Sequence, residues 1–286
     1  MEQLTPSVYT ETKIRGCNPS MVLTDEGSVF IDTAQWISTL LEMRKFALEK
    51  GPIRYLINTE SHIDHIFGNH WFAGESLVIG HEKLHETFWK IPPSFNMTTY
   101  DYSVDIIDRQ DHEALDLMPS QEDYIINMPQ ITFNDRMKFT LGGKTFELYY
   151  TPGHSDANIM VYVPEEKVAF VGDLIFNKCQ IWLHSCDPDA LFRSLDFLDT
   201  FDVDYIVPGH GDVCGKDAIY QNKNLLYDWF SAVSDAVAKG WSKEECVKRI
   251  SFADRYPVDI GQADAMDYIQ EKNVEVAYDY VTGKLK

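Results

Sequence analysis

The chain reads as an α/β protein forming one large domain over residues 1–286, and three observations lead there. Its first third runs strand, helix, strand, loop, strand, the alternation typical of α/β folds. Its 286 residues carry 44% hydrophobic content, enough to bury a full core, and sandwich folds of this length are routinely undivided. Residues able to bind metal follow apolar strand-like runs at four separate places.

Taken in order, Ser28-Val-Phe-Ile-Asp32 is a strand introduced by the turn signal Asp25-Glu-Gly27. Trp36 to Lys50 places Trp36, Leu40, Met43 and Ala47 on one helical face and stops at Gly51-Pro52. Tyr55-Leu-Ile57 and Ser76-Leu-Val-Ile-Gly80 are buried strands on either side of a loop. Residues 86–130 crowd Phe88, Trp89, Ile91, Pro92, Pro93, Phe95, Met97, Tyr100 and Tyr102 with little periodicity, so this stretch is read as an insertion. It is either a lid-like pocket wall or the padding of a subdomain or dimer contact.

Strands return at Phe139–Tyr150, with a Gly142-Gly143 hairpin signal, and at Asn158–Val163 with Lys167–Val171. Asp187-Pro188 is an N-cap with a first-turn proline, opening a helix that carries Leu191, Leu195 and Leu198. Tyr205-Ile-Val207 is a further strand. Residues 216–286 read helical, with Leu226, Trp229, Phe230, Val233 and Val237 on one stripe and a Ser242/Glu245 capping box.

Composition narrows the partners. A net charge of −20 disfavours nucleic acid and anionic membrane, and no apolar run approaches membrane-spanning length. The N-terminal residues show neither a basic nor an apolar leader pattern. Five scattered cysteines with no Cys-x-x-Cys pair fit reduced thiols. A cytoplasmic location and a small-molecule substrate are the expectations, and the C-terminal helices and aromatics allow a homodimer.

The chemistry concentrates in Asn58-Thr-Glu60-Ser-His62-Ile-Asp64-His65, where Glu60, His62, Asp64 and His65 fall within six positions behind the strand at 55–57. Carboxylate oxygen and neutral imidazole nitrogen are the usual ligands of zinc, iron and manganese. His154 in Thr-Pro-Gly-His-Ser, Asp173 in Val-Gly-Asp-Leu and His210 in Val-Pro-Gly-His-Gly also follow apolar runs. Donors delivered from four strand ends point to one converging, dinuclear site. His184, Lys178 and Asn177 follow shortly after the Asp173 loop and are candidate substrate contacts, whereas His70, His81, His85 and His112 read as structural or exposed.

Those motifs, in this order and each behind a strand, resemble the metallo-β-lactamase superfamily, in the branch of glyoxalase-II-like thioesterases, lactonases and lactamases. The resemblance implies a four-layer αββα sandwich, here with an aromatic-rich insertion and C-terminal helices, and a site at one edge of the two sheets. It assigns Glu60, His62 and His154 to one metal and Asp64, His65 and His210 to a second, with Asp173 bridging. It also places Cys17-Asn18 on a pocket-edge loop. The family's usual loop is His-x-His-x-Asp-His, so Glu60 stands where a histidine is usual. A harder, more negative site leans from zinc toward manganese or iron. Two divalent ions are expected, zinc first.

The implied activity is attack by a metal-bound hydroxide on a small, largely apolar carbonyl compound such as a lactone, ester, cyclic amide or thioester, with Asp64 orienting the nucleophile and moving a proton. Hydrolytic displacement on an activated aromatic ring shares that mechanism. A di-iron redox protein of the flavodiiron type is the alternative from another class, although those proteins place the carboxylate at the position of His62 and carry a flavin domain. A metal-stabilised scaffold without catalysis is the third reading.

Overall fold

The computed structural model describes residues 1–91, 96–258 and 263–285. Pro92, Pro93 and Phe95 of the insertion lie outside them. The first sheet has seven strands in the order β1 (Glu2–Gln3), β2 (Val8–Thr10), β3 (Ser20–Thr24), β4 (Gly27–Ile31), β5 (Ile53–Ile57), β6 (Leu77–His81) and β7 (Ile131–Phe133). Strands β4 to β7 run parallel, and α1 (Ile37–Lys50) makes the crossover from β4 to β5.

The two-residue period of these strands divides their side chains between two cores. Met21, Phe30, Leu56 and Val78 pack against Leu40 and Met43 of α1. Their neighbours Val22, Val29, Ile31, Ile57 and Ile79 face the other way and meet the second sheet. Because both faces are covered, the strands read as nearly continuous apolar runs. The buried face of α1 starts at Ile37 rather than Trp36, which sits at the N-cap.

The second sheet pairs β8 (Arg136–Leu141), β9 (Lys144–Tyr150), β10 (Ile159–Val163), β11 (Val168–Phe170) and β13 (Tyr205–Val207), with β13 parallel to β11. Phe146, Leu148, Val161 and Phe170 fill the space between the sheets. Met160, Ala169 and Ile206 on the far face pack under α5 (Pro188–Asp199), α6 (Asp217–Ala238) and α8 (Met266–Val281), with Leu195, Trp229 and Val274 among the buried contributors. Helix, sheet, sheet, helix is thus the layer order, as the resemblance implied.

Two expected caps are present. Asp187 accepts from the Ala190 amide at the start of α5, and Ser242 and Glu245 form a reciprocal box at α7 (Lys243–Arg249). In the insertion, however, the structure has a helix that the pattern hid: α4 (Thr99–Gln110), capped by Thr98 and Asp101. Its buried residues are Ser103, Ile106 and Ile107, too few to give a stripe. Short helices α2 (Ile63–Ile66) and α3 (Leu84–Thr87) complete this half, and a small parallel pair, β12 (Phe176–Asn177) with β14 (His210–Gly211), lies between the sheets' loops. Among the described residues no helix is long and apolar enough to cross a membrane.

Candidate metal centre

Ligand-bearing loops leave the carboxyl ends of β5, β11 and β13, where open α/β sheets present their sites, and a fourth follows β9. Each is fastened locally. Asn58 and Asn69 exchange amide hydrogen bonds of 2.8 and 3.2 Å across the Glu60–His65 loop. The His154 loop is held by α5, where the Asp187 amide donates to Gly153 at 2.7 Å and the Ser194 hydroxyl to Pro152 at 2.6 Å. Phe176 stacks on His210 at 5.1 Å with an interplanar angle of 8°. A Cβ at Gly209 would stand 1.9 Å from Asp173 Oδ1, so only glycine lets that backbone pass the carboxylate.

The seven candidate ligands converge in two groups: Glu60, His62, His154 and Asp173, and Asp64, His65 and His210. Glu60 points inward. Its Oε2 is 2.9 Å from His62 Nδ1, and its Oε1 is 3.2 Å from His65 Nε2 and 3.8 Å from His154 Nε2. Asp173 lies between the groups, with Oδ2 3.2 Å from His154 Nε2 and Oδ1 at 3.1 and 3.3 Å from Nε2 of His65 and His210. Asp64 Oδ2 is 3.2 Å from His210 Nε2.

These contacts are close, yet Glu60 Oε1 and Oε2, His65 Nε2 and Asp173 Oδ1 are buried without a hydrogen bond. Folded proteins rarely leave such atoms unmet. Lone pairs aimed at shared points rather than at one another are what divalent cations require, so the donor set fits such ions.

The fields inside the cluster agree with this. Burial pushes the Glu60 carboxyl up, and nearby His62 only partly offsets it. Burial would also raise Asp173, but His210, His65 and His154 hold it well below the usual range. His62 is pushed up to about 9: Glu60 outweighs burial, which acts the other way. His154 is driven well below its ordinary value by burial.

Behind the cluster stands Asp32, which the sequence marked only as a strand end. Its backbone has φ 57°. Its carboxylate accepts from the Thr59 amide at 2.7 Å and the Thr59 hydroxyl at 2.5 Å, and lies 2.9 Å from His65 Nδ1. A carboxylate on Nδ1 keeps the proton there and leaves Nε2 free. On the other side, the Ser185 hydroxyl donates to the His154 carbonyl at 2.8 Å and sits 3.3 Å from His62 Nε2.

A cavity of about 610 Å³ opens over the cluster. His184 lines it, 4.9 Å from the His62 ring, and burial together with His62 lowers its pKa to about 4, so it is neutral at ordinary pH. Asn177 and Lys178, expected as substrate contacts, are not among the residues that line the cavity. The Asn177 amide turns inward and donates to the Asp212 carbonyl at 2.7 Å, while Lys178, in the left-handed region at φ 61°, is exposed. The sequence reading missed Arg15, Gln35 and Arg109, all in the cavity wall, whereas Met97 and Tyr102 of the insertion, offered there as a pocket wall, do line it. Helix α4 supplies much of that wall, so the insertion does border the site.

Paired sheets flanked by helices, with a histidine–carboxylate cluster at their edge, define a metal-site protein of α/β class. The chain belongs to the metallo-beta-lactamase superfamily, whose family model matches residues 13–210. It is 24% identical over 260 residues to a linear primary-alkylsulfatase of a Pseudomonas species, covering 80% of this chain and 49% of that protein. Among solved structures, the inverting sec-alkylsulfatase Pisa1 of Pseudomonas matches with a TM-score of 0.66 at 18% identity, over 97% of this chain and 49% of that one. A metallo-beta-lactamase family protein of Thermus thermophilus matches with a TM-score of 0.65 at 18% identity, over 98% and 95%. The chain therefore spans about half the length of the alkylsulfatases it matches.

Proposed function

We propose that the protein is a metal-dependent hydrolase holding two divalent ions. Glu60, His62 and His154 hold one, Asp64, His65 and His210 hold the other, and Asp173 lies between them. The observation that carries this is the set of buried, unbonded donor atoms on Glu60, His65 and Asp173, arranged around shared points. Zinc is the expected metal, with Glu60 favouring manganese or iron more than an all-imidazole site does. Such ions supply a Lewis acid and bring the pKa of a bound water down toward about 7.

The chain's own groups have separable roles. Asp64 and Asp173 are the cluster carboxylates that line the cavity, and Asp64 is the more open of the two, its side chain 23% exposed against 5%. It is therefore placed to orient the attacking water and to hand a proton to the leaving group. Neutral His184 offers one donor or acceptor to the substrate. Trp182, Tyr102, Ile106 and Met97 supply the apolar part of the cavity wall. An ester-type substrate suits this arrangement, with a carbonyl ester, lactone or thioester as the first reading. A sulfate ester is the second, favoured by the 24% match to an alkylsulfatase over most of the chain.

The test is a panel of carbonyl esters, lactones, thioesters and alkyl sulfates, given to protein whose metal content has been verified. Turnover is expected to vanish with chelator, to return with zinc, and to fall about a hundredfold or more in Asp64→Asn. No turnover of any class by fully loaded protein would overturn the hydrolase reading.

A further inference from the structure

Arg15 is the unexplained charge of the cavity. It is half-buried on the loop between β2 and β3, and that loop is bound down at several points. Gly16, at φ 90°, lies so close to Asp64 that an added Cβ would be 3.3 Å from the Asp64 Cβ. Cys17 is buried beside Asp32 and His65. The Asn18 amide donates to the Pro208 and Gly211 carbonyls at 2.9 and 2.8 Å, and its backbone N–H to Gly209 at 2.9 Å. The arginine is thus carried on a segment packed against the Asp64 helix and tied to the His210 loop, a rigid mount rather than a free surface loop.

Among the described residues its charge has no counterpart. Arg109, the other arginine of the wall, pairs with Asp105 at 2.5 Å, and Asp64 and Asp173 face histidines. Among the described residues no acceptor pairs with the Arg15 guanidinium, and its Nε is buried without a hydrogen bond. A solvated arginine needs no partner. A guanidinium nitrogen withdrawn from water does, because desolvating it unpaired is costly. A planar fork of donors fits carboxylate, sulfate and phosphate oxygens. In a protein of net charge −20, long-range forces repel anions, so recognising one requires a local cation of this kind.

We propose that Arg15 binds an oxyanion group of the substrate, and that the cavity takes an anionic compound whose apolar part lies against Trp182, Tyr102 and Ile106. This deepens the hydrolase reading and rests on it only for the identity of the ligand as substrate. The expectation of a largely apolar substrate becomes one of an amphiphile with a charged end. The anion is either the scissile group itself, as in an alkyl sulfate, or a remote carboxylate on a carbonyl ester.

The experiment is calorimetric titration of the full, zinc-loaded chain with hexanesulfonate and with hexanol, using the parent, Arg15→Ala, Arg15→Lys and Lys239→Ala, an exposed cation outside the cavity. Hexanesulfonate is expected to bind Arg15→Ala about tenfold or more weakly than the parent, the size of one charge-assisted hydrogen bond. Arg15→Lys should recover part of the loss, and Lys239→Ala should match the parent. Hexanol binding should be the same in all four. Hexanesulfonate affinity within about twofold of the parent in Arg15→Ala would overturn the proposal, as would an equal loss of hexanol, which marks a packing role.

Kinetics with hexyl sulfate and with the p-nitrophenyl half-ester of glutaric acid then locate the anion. Whichever is turned over, Arg15→Ala should raise KM more than it lowers kcat. If Arg15-dependent anion binding holds and no ester is cleaved, the hydrolase reading fails alone. If neutral p-nitrophenyl butyrate is cleaved and anions bind Arg15→Ala as they bind the parent, the Arg15 proposal fails alone.

Discussion

Replacing Asp32 by asparagine is expected to cripple the half of the site built on His65 while leaving the fold intact. Asparagine tolerates the left-handed backbone that Asp32 adopts at φ 57°, so strain is not the cause. The cause is the count of donors. The two carboxylate oxygens together accept from the Thr59 amide, the Thr59 hydroxyl and His65 Nδ1, whereas an amide has one oxygen and one NH2. If the oxygen stays on the Thr59 amide, the NH2 faces His65 Nδ1, which must then accept. The imidazole proton moves to Nε2, the atom 3.1 Å from Asp173 and 3.2 Å from Glu60, and no lone pair remains there for a metal. If the amide turns over, two donors meet in the core at a cost of about 1–3 kcal/mol.

Loss of such a supporting contact typically weakens metal binding by about ten- to a hundredfold, or roughly 1.4–2.7 kcal/mol. Zinc titration against a chelating indicator reads the affinity, and thermal unfolding with and without zinc separates metal loss from fold loss. An Asp32→Asn protein that binds zinc like the parent and unfolds at the same temperature would refute this account of His65.

Other expectations follow from the same geometry. In metal-free protein, His62 has a folded pKa of about 9, raised from its ordinary value near 6.5. Its contribution to stability is therefore complete below about pH 6.5 and is lost as pH rises toward 9. His184, lowered to about 4, must charge on unfolding, so its contribution is lost as pH falls from about 6.5 to 4. Unfolding temperature of the chelated protein should peak near neutrality, and zinc should flatten its alkaline limb by keeping His62 deprotonated; a limb unchanged by zinc would contradict this. Gly16→Ala places a methyl against Asp64 at a backbone φ of 90°, costing about 1–2 kcal/mol. It should lower kcat/KM more than global stability, and an unchanged kcat/KM would count against the rigid mount. Asn177→Ala, which removes a clamp onto Asp212, should lower unfolding stability by about 1–3 kcal/mol with little change in KM, whereas a large KM effect would restore the substrate role that its position in sequence suggested.

The strands and the cluster were legible because each rests on a local signal, and the four-layer order followed from the family resemblance those motifs carry. Apolar runs ending in Glu60, His154, Asp173 and His210 announce both the strands and the donors they deliver. What stayed hidden depends on contacts distant in sequence or on weak periodicity. Helix α4 buries only Ser103, Ile106 and Ile107, so its aromatics and acids masked the helical period. Arg15 gains meaning only through Asn18, which bonds to Pro208 and Gly211 nearly two hundred residues away. Asn177 and Lys178 were singled out by their closeness in sequence to Asp173, but Asn177 turns inward to Asp212 and Lys178 stays outside the cavity. Asp32 showed as the end of a strand, and nothing in one sequence ties it to Thr59 and His65.

The central claim is that Glu60 completes a two-ion site, and metal content tests it most directly. Protein purified without chelator or affinity nickel, as parent and as Glu60→Ala, would be analysed by mass spectrometry. The account predicts about two metals per chain in the parent and about one in the variant. One metal in both would contradict it and leave Asp64, His65 and His210 as the whole metal site, and two in both would contradict it by showing that the second ion needs no Glu60.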